Sequence, residues 1–140
     1  MLRVLIFKNP RIFQESDTNH LMEVIMKVGK IIAWIGLFAM TAGLLNGFIN
    51  GDFFKDGALL FDNPWGIMSL VDLYVGFTLF SMWIFFREKY LVAKIIWIVA
   101  MMVLGFFTGA LYILYAFYTS ENDWLKFFLG AKKEHLSKHS

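Results

Sequence analysis

The chain has 140 residues, 59% of them apolar and 19% aromatic, with a mean hydropathy of +0.60 and a formal net charge of +2. This profile excludes an ordinary small soluble domain, whose surface needs more polar side chains, and the small charge points away from nucleic acid. Without cysteine there is no disulfide, thiolate metal site, cysteine nucleophile or palmitoyl anchor.

Residues 1–25 differ from the rest. MLRVLIF is apolar but short, and KNPRIFQESDTNH is polar and interrupted by Pro10, so neither crosses a bilayer. A signal peptide's longer apolar region and small-residue cleavage site are missing. The segment reads as an N-terminal arm resting on the membrane through Leu5, Ile6 and Phe7, or as a misassigned start. The second reading is preferred, because MKVGKIIAWIGLF, beginning at Met26, has the form of a small membrane protein's opening. Residues 26–130 are then a single membrane domain and 131–140 a basic tail.

The first predicted span runs from Ile31 to Ile49, follows Lys27 and Lys30, and contains no charge. Ala39, Gly43 and Gly47 recur at four-residue steps, a stripe of small residues that lets a second helix approach closely. Asn50 to Asn63 sets Asp52, Asp56 and Asp62 against Lys55 among glycines. It is expected to be a solvated loop lying against the membrane interface through Phe53, Phe54, Leu59, Leu60 and Phe61.

The second span, Pro64 to Phe86, exceeds the ~20 residues needed to cross a hydrocarbon core. Asn63 suits the cap, Pro64 the first helical position, and Arg87, Glu88 and Lys89 end the apolar run. Trp65, Ser69, Asp72, Gly76, Leu79, Trp83 and Arg87 share one face. A carboxylate at mid-helix costs about 2.5 to 3.5 kcal/mol on insertion scales, so this face should look towards protein or water. Asp72 reads either as a hydrogen-bonded structural acid or as a proton, cation or ligand site.

A third span is expected from Leu91 to Tyr118, with Lys94 snorkelling to the surface and Gly105 and Gly109 in GxxxG spacing. Beyond it, Trp124 to Leu129 makes a short segment in the interface, followed by Lys132, Lys133 and Lys138. His135 and His139 have helical ligand spacing but no third ligand, so neither a metal nor a cofactor is expected.

The fold class is therefore an all-α integral membrane protein, with three transmembrane helices and a short interfacial C-terminal segment. Three spans place the N-terminus and the Arg87–Lys89 turn on one side, and the acidic segment and C-terminus on the other. The density of Lys and Arg puts the first side in the cytoplasm, with a bacterial inner membrane as the setting. Counting depth along antiparallel helices sets Asp72 level with Thr41 on the first span and Thr108 to Tyr112 on the third, so Asp72, Ser69, Thr41, Thr108 and Tyr112 form the candidate polar site. Gly76 joins Ala39, Gly43, Gly47, Gly105 and Gly109 as candidate packing residues.

The stretch WGIMSLVDLYVGFTLFSMWIFFRE, with MKVGKIIAWIGLF, MMVLGFFTGALYILYAF and NDWLKFFLG, resembles a family of small membrane proteins from bacteria and plants, domain of unknown function 1475. The resemblance covers Met26 to Gly130, is most specific in the pattern WGxxxLxDLYxGFxLFxxWIxxRE, and does not extend to the residues before Met26. It implies a multi-span membrane protein and no established activity.

No nucleophile and base at recognisable spacing, HExxH, phosphate-binding glycine loop or redox motif is present, so an enzyme is not expected. The preferred reading is a non-catalytic accessory or assembly protein that binds the lipid bilayer and either a second copy or another membrane protein. The alternative is a small transporter or channel with Asp72 as its proton or cation site.

Overall fold

The computed structural model describes residues 10–137, which form helices joined by short turns. In chain order these are α1 (Pro10–Asn50), α2 (Phe53–Phe61), α3 (Pro64–Arg87), α4 (Leu91–Leu104), α5 (Phe106–Thr119), α6 (Trp124–Leu129) and α7 (Lys132–Ser137). Two of these helices, α1 over Asp17–Asn50 and α3, are long and apolar enough to cross a membrane.

The caps on α3 follow from its sequence. Pro64 opens the helix, and the Asn63 side chain accepts from the Trp65 backbone N–H at 3.0 Å. The acidic segment before it is not the expected loop. Asp52 accepts from the Lys55 N–H at 3.2 Å, while Asp56 accepts from the Asp52 N–H at 2.9 Å. This reciprocal capping winds Phe53–Phe61 into α2, which buries none of its residues.

The third apolar run is not one helix, and this is the main departure from the expected three spans. Gly105 adopts φ +62° and ψ −144°, a conformation open only to glycine, and the chain reverses there. The reversal is also crowded, since a Cβ on Gly105 would lie 2.8 Å from the Phe77 ring. α4 and α5, of 14 residues each, then pack against one another as a hairpin. Thr108 Oγ1 donates to the Ala100 carbonyl at 2.9 Å, and the Trp97 and Tyr112 rings meet at 5.1 Å. Each arm is about 21 Å long, short of a ~30 Å hydrocarbon core. The Phe106 ring at the tip packs on Phe77 at 5.1 Å and stands 3.6 Å from where a Cβ on Gly76 would be, so the hairpin reaches only about halfway along α3.

The return of α5 reverses the expected placement of the C-terminus. As α1 advances from Met26 to Leu37, its partners on α5 run backwards from Phe117 to Phe107, and Lys30 Nζ meets Asn122 Oδ1 at 3.4 Å. The start of the packed part of α1, the end of α3, the end of α5 and all of α6 therefore share one end, called here the basic end. α2 and the ends of α1 and α3 that it joins make the acidic end.

Packing is concentrated at the basic end. Met26, Ala116, Phe117 and Phe127 form one cluster; Ala33, Leu37 and Leu114 form a second. Gly29 permits a close approach of α1 to α5, since a Cβ there would lie 2.4 Å from the Phe117 ring. Beyond Leu37 no residue of α1 is buried, and between Gly66 and Phe77 none of α3 is. α1 also runs unbroken through residues 25 and 26, with Met26 fully buried, so no structural boundary falls at the expected start.

Candidate functional site

The buried polar centre lies where α3 ends. Arg87 and Glu88, which read from the sequence as membrane-flanking charges, are 4% and 9% exposed. Arg87 makes four hydrogen bonds: Nε to the Phe127 carbonyl at 2.9 Å, Nη1 to Glu88 Oε1 at 3.4 Å and to the Tyr112 hydroxyl at 3.3 Å, and Nη2 to Thr119 Oγ1 at 2.9 Å. Tyr112, fully buried, donates its own proton to Glu88 Oε1 at 2.8 Å. The guanidinium also lies 5.5 Å from the centres of both the Tyr112 and Tyr115 rings. A cation, a carboxylate and a phenol thus satisfy one another in a largely buried setting, the condition under which buried charge is tolerated.

The same centre anchors the C-terminal segment. Asp123 caps α6 by accepting from the Lys126 N–H at 3.1 Å, and Trp83 Nε1 donates to the Phe128 carbonyl at 3.3 Å. Gly130, at φ +57°, sits on Arg87 so closely that a Cβ would come within 2.7 Å of the Arg87 carbonyl oxygen. α6 and the turn after it therefore lie across the end of α3. Beside them opens a cleft of about 650 Å³, lined by Glu88, Lys89, Tyr90, Glu121, Lys126 and Lys133 among others. Its carboxylates are each paired: Glu88 with Arg87, Glu121 with Lys126 at 2.9 Å, and Asp123 with Lys133. Chemically this is a clamp joining three segments, in which each carboxylate already has a cation.

The polar site expected around Asp72 is not assembled. Asp72 is exposed on α3 and has no hydrogen bond or ion pair with any described residue. The hydroxyls placed near it are engaged elsewhere: Ser69 with the Trp65 carbonyl at 2.9 Å, Thr41 with Leu37 at 2.7 Å, Thr108 with Ala100, and Tyr112 with Glu88. The depth count assumed a straight third helix. The fold-back carries Thr108 and Tyr112 into the basic half, while Asp72 lies one turn beyond the hairpin tip, on the same face as Gly76.

The candidate packing residues divide the same way. Gly76 and Gly109 lie in close contacts, Gly109 among Phe106 and Met101, and Gly105 makes the turn instead of a helix interface. Ala39, Gly43 and Gly47 face outwards, and a Cβ on either glycine would meet nothing within 4 Å. His139 and Lys138 fall outside the described residues, as does the arm's Leu5–Phe7 stretch. A usable signal for the clamp was present: an Arg–Glu pair at a helix end, followed by Tyr112, Tyr115 and Thr119 at three- and four-residue steps.

No curated protein and no solved structure matches the chain. A family model described as "Protein of unknown function (DUF1475)" matches residues 11–133, which takes in the helix before Met26 as well as the clamp. The chain belongs to the DUF1475 family of proteins of unknown function.

Proposed function

We propose that the chain is an integral membrane protein serving as a non-catalytic accessory or assembly subunit, with α1 and α3 crossing the bilayer and the α4–α5 hairpin entering and leaving by one face. What supports the membrane reading is exposure: only 6% of the most apolar stretch of α1 and 17% of that of α3 are buried, and Ile35, Phe38, Phe48, Leu79 and Met82 stand bare. An apolar surface of this extent needs lipid or another chain to cover it. The fold-back also removes a difficulty with the positive-inside rule. With the C-terminal segment at the basic end, every Lys and Arg of the described stretch except Lys55 lies on that side, which we place in the cytoplasm of a bacterial cell.

The observation that carries the accessory reading is the contrast between the two halves. At the basic end the buried charges satisfy one another; at the acidic end α1 and α3 leave Gly43, Gly47 and apolar side chains uncovered by the described residues. Such faces suit a partner helix, from a second copy or from another membrane protein. Cross-linking in membranes followed by copurification in mild detergent tests this. Cross-links from cysteines at Gly43 or Gly47 to a second helix support the reading, and a strictly monomeric, uncross-linked chain overturns it. A second reading, a small transporter or channel, is favoured by the exposure of Asp72 just beyond the hairpin tip. Reporters check the topology: fusions after Tyr90 and after Gly130 should give the same side, and an insertion at Gly57 the opposite one.

A further inference from the structure

We propose that the cleft beside the clamp is a binding site for a phosphate monoester, recognised by the buried Arg87 and the exposed Lys89 that both line it. The site is independent of the assembly reading above. A guanidinium carries five N–H donors in a rigid planar fork. Arg87, 4% exposed, places its Nε–H on the Phe127 carbonyl and one Nη2–H on Thr119. Its other two bonds both start from Nη1, to Glu88 Oε1 at 3.4 Å and to the Tyr112 hydroxyl at 3.3 Å, and these two oxygens lie only 2.8 Å apart. They subtend about 50° at Nη1, far less than the ~120° between its two N–H bonds, so a single N–H serves both. One N–H on Nη1 and one on Nη2 are therefore left without an acceptor among the described residues. Donors of a buried charged group seldom stay so, and these belong to a side chain in the wall of the cleft.

The missing acceptors set the chemistry of the ligand. Each carboxylate that lines the cleft already has a cation, whereas Lys89 has no carboxylate partner among the described residues. Its ammonium lies over the Tyr90 ring, 5.9 Å from the centre. Arg87, Lys89, Lys126 and Lys133 outnumber Glu88, Glu121 and Asp123 in this lining, so the solute it lacks is an anion. Two guanidinium N–H groups and an ammonium ask for more acceptor oxygens than the two of a carboxylate, and suit the three of a phosphate. Lys126 and Lys133 sit in partly exposed ion pairs that hold them weakly, and can turn to the same group. At about 650 Å³ the cleft is larger than a free phosphate needs and within the range of small-molecule sites. The excess leaves room for an organic part beside Tyr90 and Tyr115, whose hydroxyls bond to no described residue.

Isothermal titration calorimetry of the full chain in mild detergent, with glycerol 3-phosphate as the probe and chloride holding the ionic strength, tests the site. One molecule should bind per chain, saturably and about threefold or more tighter than inorganic phosphate. Lys89→Gln should weaken binding about fivefold or more, and Lys89→Arg should retain most of it. Lys94→Gln, whose ammonium lies outside the cleft over Phe85, should change nothing. Ala131→Trp, at an exposed position on the cleft wall, should block binding without lowering Tm. Arg87→Lys keeps a cation for Glu88 but loses the fork, and should abolish binding; should it fail to fold, the Lys89 and Ala131 variants decide. Absence of saturable binding, or binding that neither Lys89→Gln nor Ala131→Trp weakens, overturns the proposal, and the two N–H groups then meet water alone. Equal affinity for inorganic phosphate overturns the organic half of it. Competition by phosphatidic acid in nanodiscs assigns the monoester to a lipid, and failure to compete assigns it to a soluble molecule; both results uphold the site.

Discussion

Replacing Arg87 by methionine tests whether the clamp holds the C-terminal segment to the rest of the fold. The substitution keeps the length of the stem but removes four hydrogen bonds at once, to Phe127, Glu88, Tyr112 and Thr119. Glu88, 9% exposed, would keep the Tyr112 hydroxyl and lose the cation paired with it. Breaking a buried pair on one side costs about 3 to 5 kcal/mol, mainly through the charge left behind. For a chain of this size that corresponds to a fall in Tm on the order of 10 °C. Thermal melting in a fixed detergent reads the loss, and limited proteolysis between Asn122 and Gly130 reads the release of α6. Arg87→Met combined with Glu88→Leu should recover most of it, because no orphaned carboxylate remains. A single variant melting within about 2 °C of the wild type would refute the reasoning, since the pair would then already be hydrated.

Three further outcomes follow from particular contacts. Gly105→Ala forces a Cβ into a glycine-only conformation and towards the Phe77 ring, and should lower stability by about 1 to 3 kcal/mol in the same melting assay. Gly130→Ala should loosen α6, because its Cβ meets the Arg87 carbonyl, and should both speed cleavage there and lower Tm, since Phe127 packs with Met26, Ala116 and Phe117. Asp72→Asn and Asp72→Leu should both melt within about 0.5 kcal/mol of the wild type, since the side chain has no partner to lose. A growth or transport defect confined to these stable variants would favour the transporter reading, and strong destabilisation by leucine would reveal a partner at Asp72.

The two long helices are legible from their apolar runs, Ile31 to Ile49 without a charge and Pro64 to Phe86 with Asp72 alone, and α3 carries its own caps, Asn63 and Pro64. The α4–α5 hairpin was not, although one quantity hinted at it. Leu91 to Tyr118 as a straight helix would extend about 42 Å, well beyond a ~30 Å core. Gly105 fits a helix interface and a reversal equally well by composition, and only its backbone angles and the Phe77 ring decide for the turn. The clamp was hidden for a related reason. Arg87 and Glu88 look like flanking charges until α5 returns and sets Tyr112 and Thr119 against them. Residues 1–25 read as an arm or a misassigned start because their polarity breaks the apolar pattern, whereas α1 runs on from Pro10, is exposed over residues 17–25, and the family match begins at residue 11.

The reversal at Gly105 also connects the two functional readings. A straight third helix would have closed the bundle along its whole length and enclosed Asp72. A hairpin whose tip stops at Gly76 closes only the basic half, and leaves at the acidic half Gly43, Gly47 and Asp72 without a partner among the described residues. A carboxylate in that position needs a donor or water, and small-residue faces favour close approach of another helix. A partner helix bringing a hydroxyl, amide or cationic side chain to the level of Asp72 would meet both requirements, whereas water alone meets only the first. The unfilled half therefore weighs towards assembly with another chain.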